Sequence, residues 1–191
     1  YRHHTADNAH VPCHFVFDQR FRDNYLFADL PPRQPVPGRY LKNGYIRRAD
    51  TLDELAAQLG VPAANLKATI ARYNDFARSG KDADFHRGDS AYDRYYGDPT
   101  VKPNPTMAPI EKPPFYGVKV VAGDLGTKGG LMIDEYARVK RADGSLIDGL
   151  YCVGNNSASV MGATYPGPGC TIGSTMTFGY IAARHIAGRA T

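Results

Sequence analysis

Apolar positions recur along this chain with two different periods, and the change of period divides it. Over residues 51–60 the period is helical: Leu52, Leu55, Ala56 and Leu59 fall on one stripe. Thr51 and Glu54 supply an S/T-x-x-E capping box at its start, and Gly60 supplies a stop. Pro62 suits the first turn of a second helix running to about Arg78, with its stripe at Leu66, Ile70, Tyr73 and Ala77. The pair predicts a helical hairpin. On either side the period fades. Residues 1–50 read as irregular with a strand-like piece at His14-Phe15-Val16-Phe17, and the proline run from Leu30 to Gly38 predicts extended loop. Residues 79–114, rich in Asp, Tyr and Pro, read as surface loop.

From Tyr116 onward short alternating runs take over. Gly117-Val118-Lys119-Val120-Val121 alternates as a strand, and Leu131-Met132-Ile133 and Ala137-Arg138-Val139-Lys140 predict two more. Ala142-Asp143-Gly144-Ser145 is turn chemistry. Leu150-Tyr151-Cys152-Val153 reads as a short buried strand ending at Gly154. A last helix over about 171–187 is apolar nearly all round, which predicts burial. A boundary falls near Gly123, between a unit of residues 1–122 and one of residues 123–191. The fold class expected is α/β with α+β character.

Composition narrows the function classes. The 191 residues carry 23 Lys and Arg against 19 Asp and Glu, a net charge of +4, and the basic residues are scattered. Nucleic acid is therefore not an expected partner. No apolar run has the length of a membrane span, and no leader is expected. The three cysteines, Cys13, Cys152 and Cys170, form no CxxC and predict reduced thiols in a cytoplasmic setting. His3, His4, His10 and His14 with Cys13 suggest a metal site, but Pro12 interrupts the helical spacing of His10 and His14 and no HExxH follows, so no metal is expected. The start at Tyr1 reads as a piece of something longer.

The densest chemistry lies in residues 162–173, where glycines cluster ahead of the last helix. Glycine lets a ligand come close to the backbone, and a helix N-terminus offers unpaired N–H groups and partial positive charge. Together they suit an anion or an electron-rich carbonyl edge. Gly167, Gly169 and Gly173 give a GxGxxxG spacing, but the preceding strand ends at Val153, too far upstream for a dinucleotide fingerprint. A glycine-rich turn that only packs a helix is the competing reading. Cys170, at that helix start, reads as small-residue packing in preference to a nucleophile. Tyr92, Tyr95 and Tyr96 read as surface-loop packing before a binding patch, and Lys128 is undecided between neutralising a cofactor and facing solvent.

Leu150-Tyr151-Cys152-Val153-Gly154-Asn155 and the loop after it resemble the closing segment of the fumarate reductase-like flavoproteins. That resemblance implies bound FAD. Gly129, Gly130, Gly154 and Asn155 would face it, with Asn155 on the ribityl chain, and the backbone at Gly169, Cys170, Thr171 and Ile172 would meet the flavin pyrimidine edge. Dicarboxylate-handling members carry a histidine where Gly126 stands and a substrate-clamping arginine where Tyr165 stands. Residues 123–131, 149–151, 164–169 and 176–180 instead resemble the 3-ketosteroid Δ1-dehydrogenases, with looser likeness in Phe17-Asp18-Gln19-Arg20-Phe21-Arg22 and Gly97-Asp98-Pro99.

This second resemblance implies a 3-ketosteroid substrate desaturated at C1–C2. Tyr165 and the Gly169 N–H would donate to its C3 carbonyl as an oxyanion hole, and a tyrosine base, matched by Tyr1, would take the C2 proton. Residues 1–122 would be part of a substrate domain and 123–191 the return into an FAD-binding domain. The strand–GxGxxG–helix cradle for the FAD pyrophosphate is missing from the sequence, so a companion chain carrying it is expected, as is an external electron acceptor. Two alternatives stand beside this reading. One is a C4–C5 ketosteroid dehydrogenase. The other is a non-catalytic assembly or ligand-binding subunit, favoured by the missing cradle and opposed by Tyr165, Gly169 and the Gly154-Asn155 pair.

Overall fold

The computed structural model describes residue 5 and residues 10–124, 126–127 and 129–188. The chain forms two compact units, Tyr1–Ala122 and Gly123–Thr191.

In the first unit, strand β1 (Cys13–Asp18) runs directly into helix α1 (Gln19–Asn24), which is followed by α2 (Gly38–Lys42) and strand β2 (Arg47–Ala49). The helical hairpin is α3 (Leu52–Leu59) and α4 (Ala63–Ser79), then come a short α5 (Ala91–Tyr95) and strand β3 (Phe115–Val120). β3 lies between β1 and β2, antiparallel to both. Phe17, Leu30, Ile46, Tyr116 and Val118 form one core cluster, and Ala49, Leu55 and Phe115 form a second. α3 approaches the sheet closely because Gly117 has no side chain: a Cβ there would lie 2.8 Å from the Leu59 methyl groups.

The predicted hairpin is present with its signals in place. Thr51 Oγ1 accepts from the Glu54 N–H at 3.2 Å, and Gly60 ends α3 in the left-handed region. The Glu54 carboxylate reaches back to the Asp50 N–H, one residue before the cap. Pro62 is the N-cap residue of α4, just outside the first turn where the sequence places it.

Residues 13–37 are more ordered than their lack of period suggests. Asp18 Oδ1 caps α1 at the Phe21 N–H, while Oδ2 accepts from the Glu111 and Lys112 N–H groups. The buried Arg22 guanidinium donates to the carbonyls of Tyr25, Leu30, Pro31 and Gln34, holding the proline-rich loop. The Tyr25 hydroxyl donates to Asp98 at 2.5 Å. Hydrogen bonds from Thr100 and Tyr25 hold the Asp98 carboxyl down at about 2.

Residues 79–114 correct the surface-loop expectation. They contain α5, and Asp82, Val101, Asn104 and Met107 are buried. The order comes from buried polar hubs that leave no periodic trace. Asn104 donates to the Gly80 and Arg87 carbonyls and accepts from Thr106. Burial alone would raise the Asp82 carboxyl, but Arg87 and the Phe85 and Asp84 amides outweigh it and hold the group at about 2. His14 lies in β1, so the His10–His14 spacing is not that of a helical pair.

In the second unit, β4 (Arg138–Lys140) and β5 (Leu146–Tyr151) pair antiparallel around the predicted turn, where Asp143 Oδ1 accepts from the Ser145 N–H and hydroxyl. Leu131 and Ile133 make isolated bridges in place of the predicted strand. Ala137 has φ of 66° and sits in a turn around buried Asp134. Burial opposes ionisation of Asp134, yet hydrogen bonds from Arg138 and the Tyr136 amide lower its pKa.

A 3₁₀ turn at Gly154–Asn156 precedes the last helix, α6 (Cys170–Ile186). Of the strand expected at 150–153, Cys152 is buried and Leu150 is 41% exposed, and β5 itself ends at Tyr151. The burial expected of the last helix fails: α6 buries only Ala182, leaving Ile172, Met176, Tyr180 and Ile186 at 64–70% exposure. Apolar periodicity marks a surface that suits burial, and none of the described residues of this unit covers it. Among the described residues, no helix is long and apolar enough to cross a membrane.

Candidate functional site

The site builds up around the start of α6. Its N-cap is Gly169, with φ of 90°, a conformation open to glycine and strained for other residues. A glycine cap brings no side-chain oxygen, so nothing from the cap covers the first amides of the helix. The Cys170 N–H reaches the Gly167 carbonyl at 3.3 Å, and the Gly173 N–H begins the helical ladder on the Gly169 carbonyl at 2.7 Å. Between them, the Thr171 and Ile172 N–H groups have no acceptor among the described residues. They carry the positive end of a 17-residue helix.

Facing them is the Gly154–Asn156 turn. Gly154 has φ of 67°, and a Cβ there would lie 2.9 Å from Thr175 Oγ1 on α6, so glycine is needed for conformation and for space. Ser157 fixes the turn by donating its N–H and hydroxyl to the Gly154 carbonyl. The Leu131 N–H reaches the Asn156 carbonyl at 2.9 Å, and the Ala158 N–H reaches the Leu131 carbonyl at 2.9 Å. That backbone is so close that a Cβ on Gly130 would lie 2.5 Å from Asn156 O. Gly129 has open space around it. The Asn155 side-chain amide makes no hydrogen bond to described residues.

These elements border a shallow concave pocket, open to solvent and lined by Thr127, Gly154, Asn155, Cys170, Thr171 and Ser174 among others. Cys170 is therefore part of the pocket wall, half-buried. Tyr165 stands 48% exposed in the loop that leads into Gly169. The structure thus brings Gly154, Asn155, Cys170 and Thr171 together on one pocket, with Gly130 shaping its wall and Gly169 at its helix cap. Tyr1, the expected base, and Lys128 lie outside the described residues.

Sequence reasoning missed the hydroxyl-bearing residues of this wall. Thr127 and Ser174 reach the pocket. Ser174 sits one helical turn beyond Cys170 and donates to its carbonyl. The run of hydroxyl side chains at Thr171, Ser174 and Thr175 near the start of the helix was the available signal. The other end of α6 is tied down by a 2.7 Å hydrogen bond between the Tyr151 hydroxyl on β5 and His185 Nδ1.

The pocket fits a flavin. It combines free helix-terminal amides for an electron-rich carbonyl edge, an unengaged amide at Asn155 for hydroxyl groups, and glycines that admit a flat ring system against backbone.

Comparison with known proteins bears on the same residues. A family model described as FAD binding domain matches residues 2–172. The 3-oxosteroid 1-dehydrogenase of Mycobacterium tuberculosis is 61% identical over 180 residues, covering 94% of this chain and 32% of the relative. The 4-oxocyclohexanecarboxylate 2-dehydrogenase of Sinomonas cyclohexanicum is 48% identical over 181 residues, covering 94% and 30%. Among solved structures, the 3-ketosteroid delta1-dehydrogenase from Sterolibacterium denitrificans, in complex with 1,4-androstadiene-3,17-dione, matches with a TM-score of 0.86 at 52% identity, covering 93% of this chain and 32% of that one. The chain spans about a third of the length of the relatives it matches.

Proposed function

Because this chain belongs to the FAD binding domain family, we propose that it is part of a flavoprotein that dehydrogenates a 3-ketosteroid, desaturating C1–C2 of ring A. The observation that carries the proposal is the exposed phenol of Tyr165 in the loop that ends at the Gly169 cap, beside a pocket suited to flavin. Residues 1–122 contribute to the substrate domain, and residues 123–191 contribute to the FAD-binding domain.

Bound FAD supplies the hydride acceptor. The Thr171 and Ile172 amides hold its pyrimidine edge and favour the negative charge that reduction places there. Asn155 holds the ribityl chain, and Gly129, Gly130, Gly154 and Cys170 shape the wall around the ring. Tyr165 and the Gly169 N–H donate to the C3 carbonyl oxygen of the substrate. Removing the C2 proton builds charge on that oxygen, and two fixed donors lower the cost of building it. Tyr1 is proposed as the base that takes the proton. A companion chain would supply the pyrophosphate cradle, and an external acceptor would be needed to reoxidise the bound cofactor. A cytoplasmic setting is part of the proposal, supported by three free cysteines that form no CxxC.

The test is an absorbance spectrum of the flavin-loaded protein with androst-4-ene-3,17-dione added anaerobically. Bleaching of the flavin band at about 450 nm supports the proposal, since it reports reduction of the cofactor by substrate. Bound flavin that stays oxidised rejects this substrate. Bleaching with 4-oxocyclohexanecarboxylate alone moves the substrate class to small ring ketones, the class named for the 48% identical relative.

A further inference from the structure

We infer that Gly126 is a positioning residue for Asn155: the missing side chain at 126 leaves the space in which the Asn155 amide lies, and so sets the group that meets the flavin's ribityl chain. The inference rests on the flavin reading above.

A Cβ at position 126 would lie 2.8 Å from Asn155 Nδ2 and 3.6 Å from Asn155 Cγ. Real side chains do not come that close without one of them moving. The space beside the Asn155 amide by itself calls for glycine at this position.

Which partner moves is settled by what holds each one. The backbone carrying Asn155 is fixed on both sides, by Ser157 on the Gly154 carbonyl and by the Leu131 N–H on the Asn156 carbonyl. The Asn155 side chain makes no hydrogen bond among the described residues, so it is the free part. A methyl group at 126 therefore turns the amide away and leaves the turn intact. Gly123 differs: a Cβ there meets nothing within 4 Å, which makes it the control.

The experiment is a double-mutant cycle of Gly126→Ala and Asn155→Ala, with Gly123→Ala alongside, in the complete flavoprotein. Two readouts are taken: the FAD dissociation constant of the apoprotein, from flavin fluorescence, and the Asn155 side-chain NH₂ resonances in the apoprotein. A lost hydrogen bond of ordinary strength makes each single variant about three- to tenfold weaker for FAD. The double variant is expected to be no weaker than Asn155→Ala. The Asn155 resonances are expected to shift in Gly126→Ala and to stay in place in Gly123→Ala.

Equal losses from Gly126→Ala with and without Asn155 would overturn the coupling, as would unmoved Asn155 resonances. An Asn155→Ala variant with unchanged FAD affinity overturns the role of Asn155 toward the flavin, and the inference with it. Failure of the unaltered protein to take up FAD removes the flavin reading itself, an outcome distinct from a failed coupling that the apoprotein resonances report independently.

Discussion

Tyr165 and Asp82 show how differently two polar residues can be used. Tyr165 is 48% exposed in the loop ahead of the α6 cap, and on the proposed function its hydroxyl donates to the substrate ketone oxygen. In the flavin-loaded enzyme, Tyr165→Phe is expected to lower kcat by about 10²–10³, the cost of one oxyanion-hole donor. Steady-state kinetics on a 3-ketosteroid measures it, with flavin content unchanged as the control. Asp82 is buried and serves the fold. Its carboxyl lies at about 2, against an ordinary 3.8, so ionised Asp82 stabilises the folded state above 3.8. That contribution fades as pH falls from about 4 through about 2. The Tm of the wild type should therefore exceed that of Asp82→Asn at neutral pH, and the gap should close across this window in calorimetric scans. A gap that is constant with pH counts against the ion pair with Arg87.

At the scale of elements, two links decide whether the local structure holds. Arg22 ties α1 to the proline-rich loop through the Leu30, Pro31 and Gln34 carbonyls and also reaches the Tyr25 carbonyl. Arg22→Met is expected to cost about 2–4 kcal/mol in urea unfolding, since the apolar stem is kept and the hydrogen bonds are lost. The second link is Gly154, which joins the 3₁₀ turn to α6. Gly154→Val puts a branched side chain at a positive φ and against Thr175. Loss of FAD binding with most of the thermal stability retained is the expected result, read by flavin fluorescence and a melting scan. The hairpin of α3 and α4 was legible because its signals are local: a cap, a stripe and a glycine stop within one stretch of chain. The turns held by Asn104 and Asp134 were not, because each depends on one polar side chain collecting backbone groups that have no sequence period.

For the whole molecule, the uncovered face of α6 is the informative feature. Ile172, Met176, Tyr180 and Ile186 are exposed in a chain that spans about a third of its relatives' length. Apolar surface in contact with water is unfavourable by about 25 cal/mol per Å², so a covering surface is expected in the complete flavoprotein. The 191-residue chain by itself should bind a hydrophobic dye strongly, and co-expression with the remaining flavin domain should suppress that signal. Equal dye binding in both preparations would mean that the face stays uncovered.

The sequence by itself determined the helical hairpin, the turn between β4 and β5 and the glycine-rich approach to α6. Each is written in neighbouring residues, through cap chemistry, turn chemistry or the absence of a Cβ. Only the tertiary structure decided that Asp18, Arg22, Asp82 and Asn104 are buried hubs, that Gly126 lies against Asn155 from a distant part of the chain, and that α6 keeps its apolar face open. These depend on distant segments meeting in space. Hydrogen bonding and close packing reward such meetings without leaving any period along the chain by which they could be read.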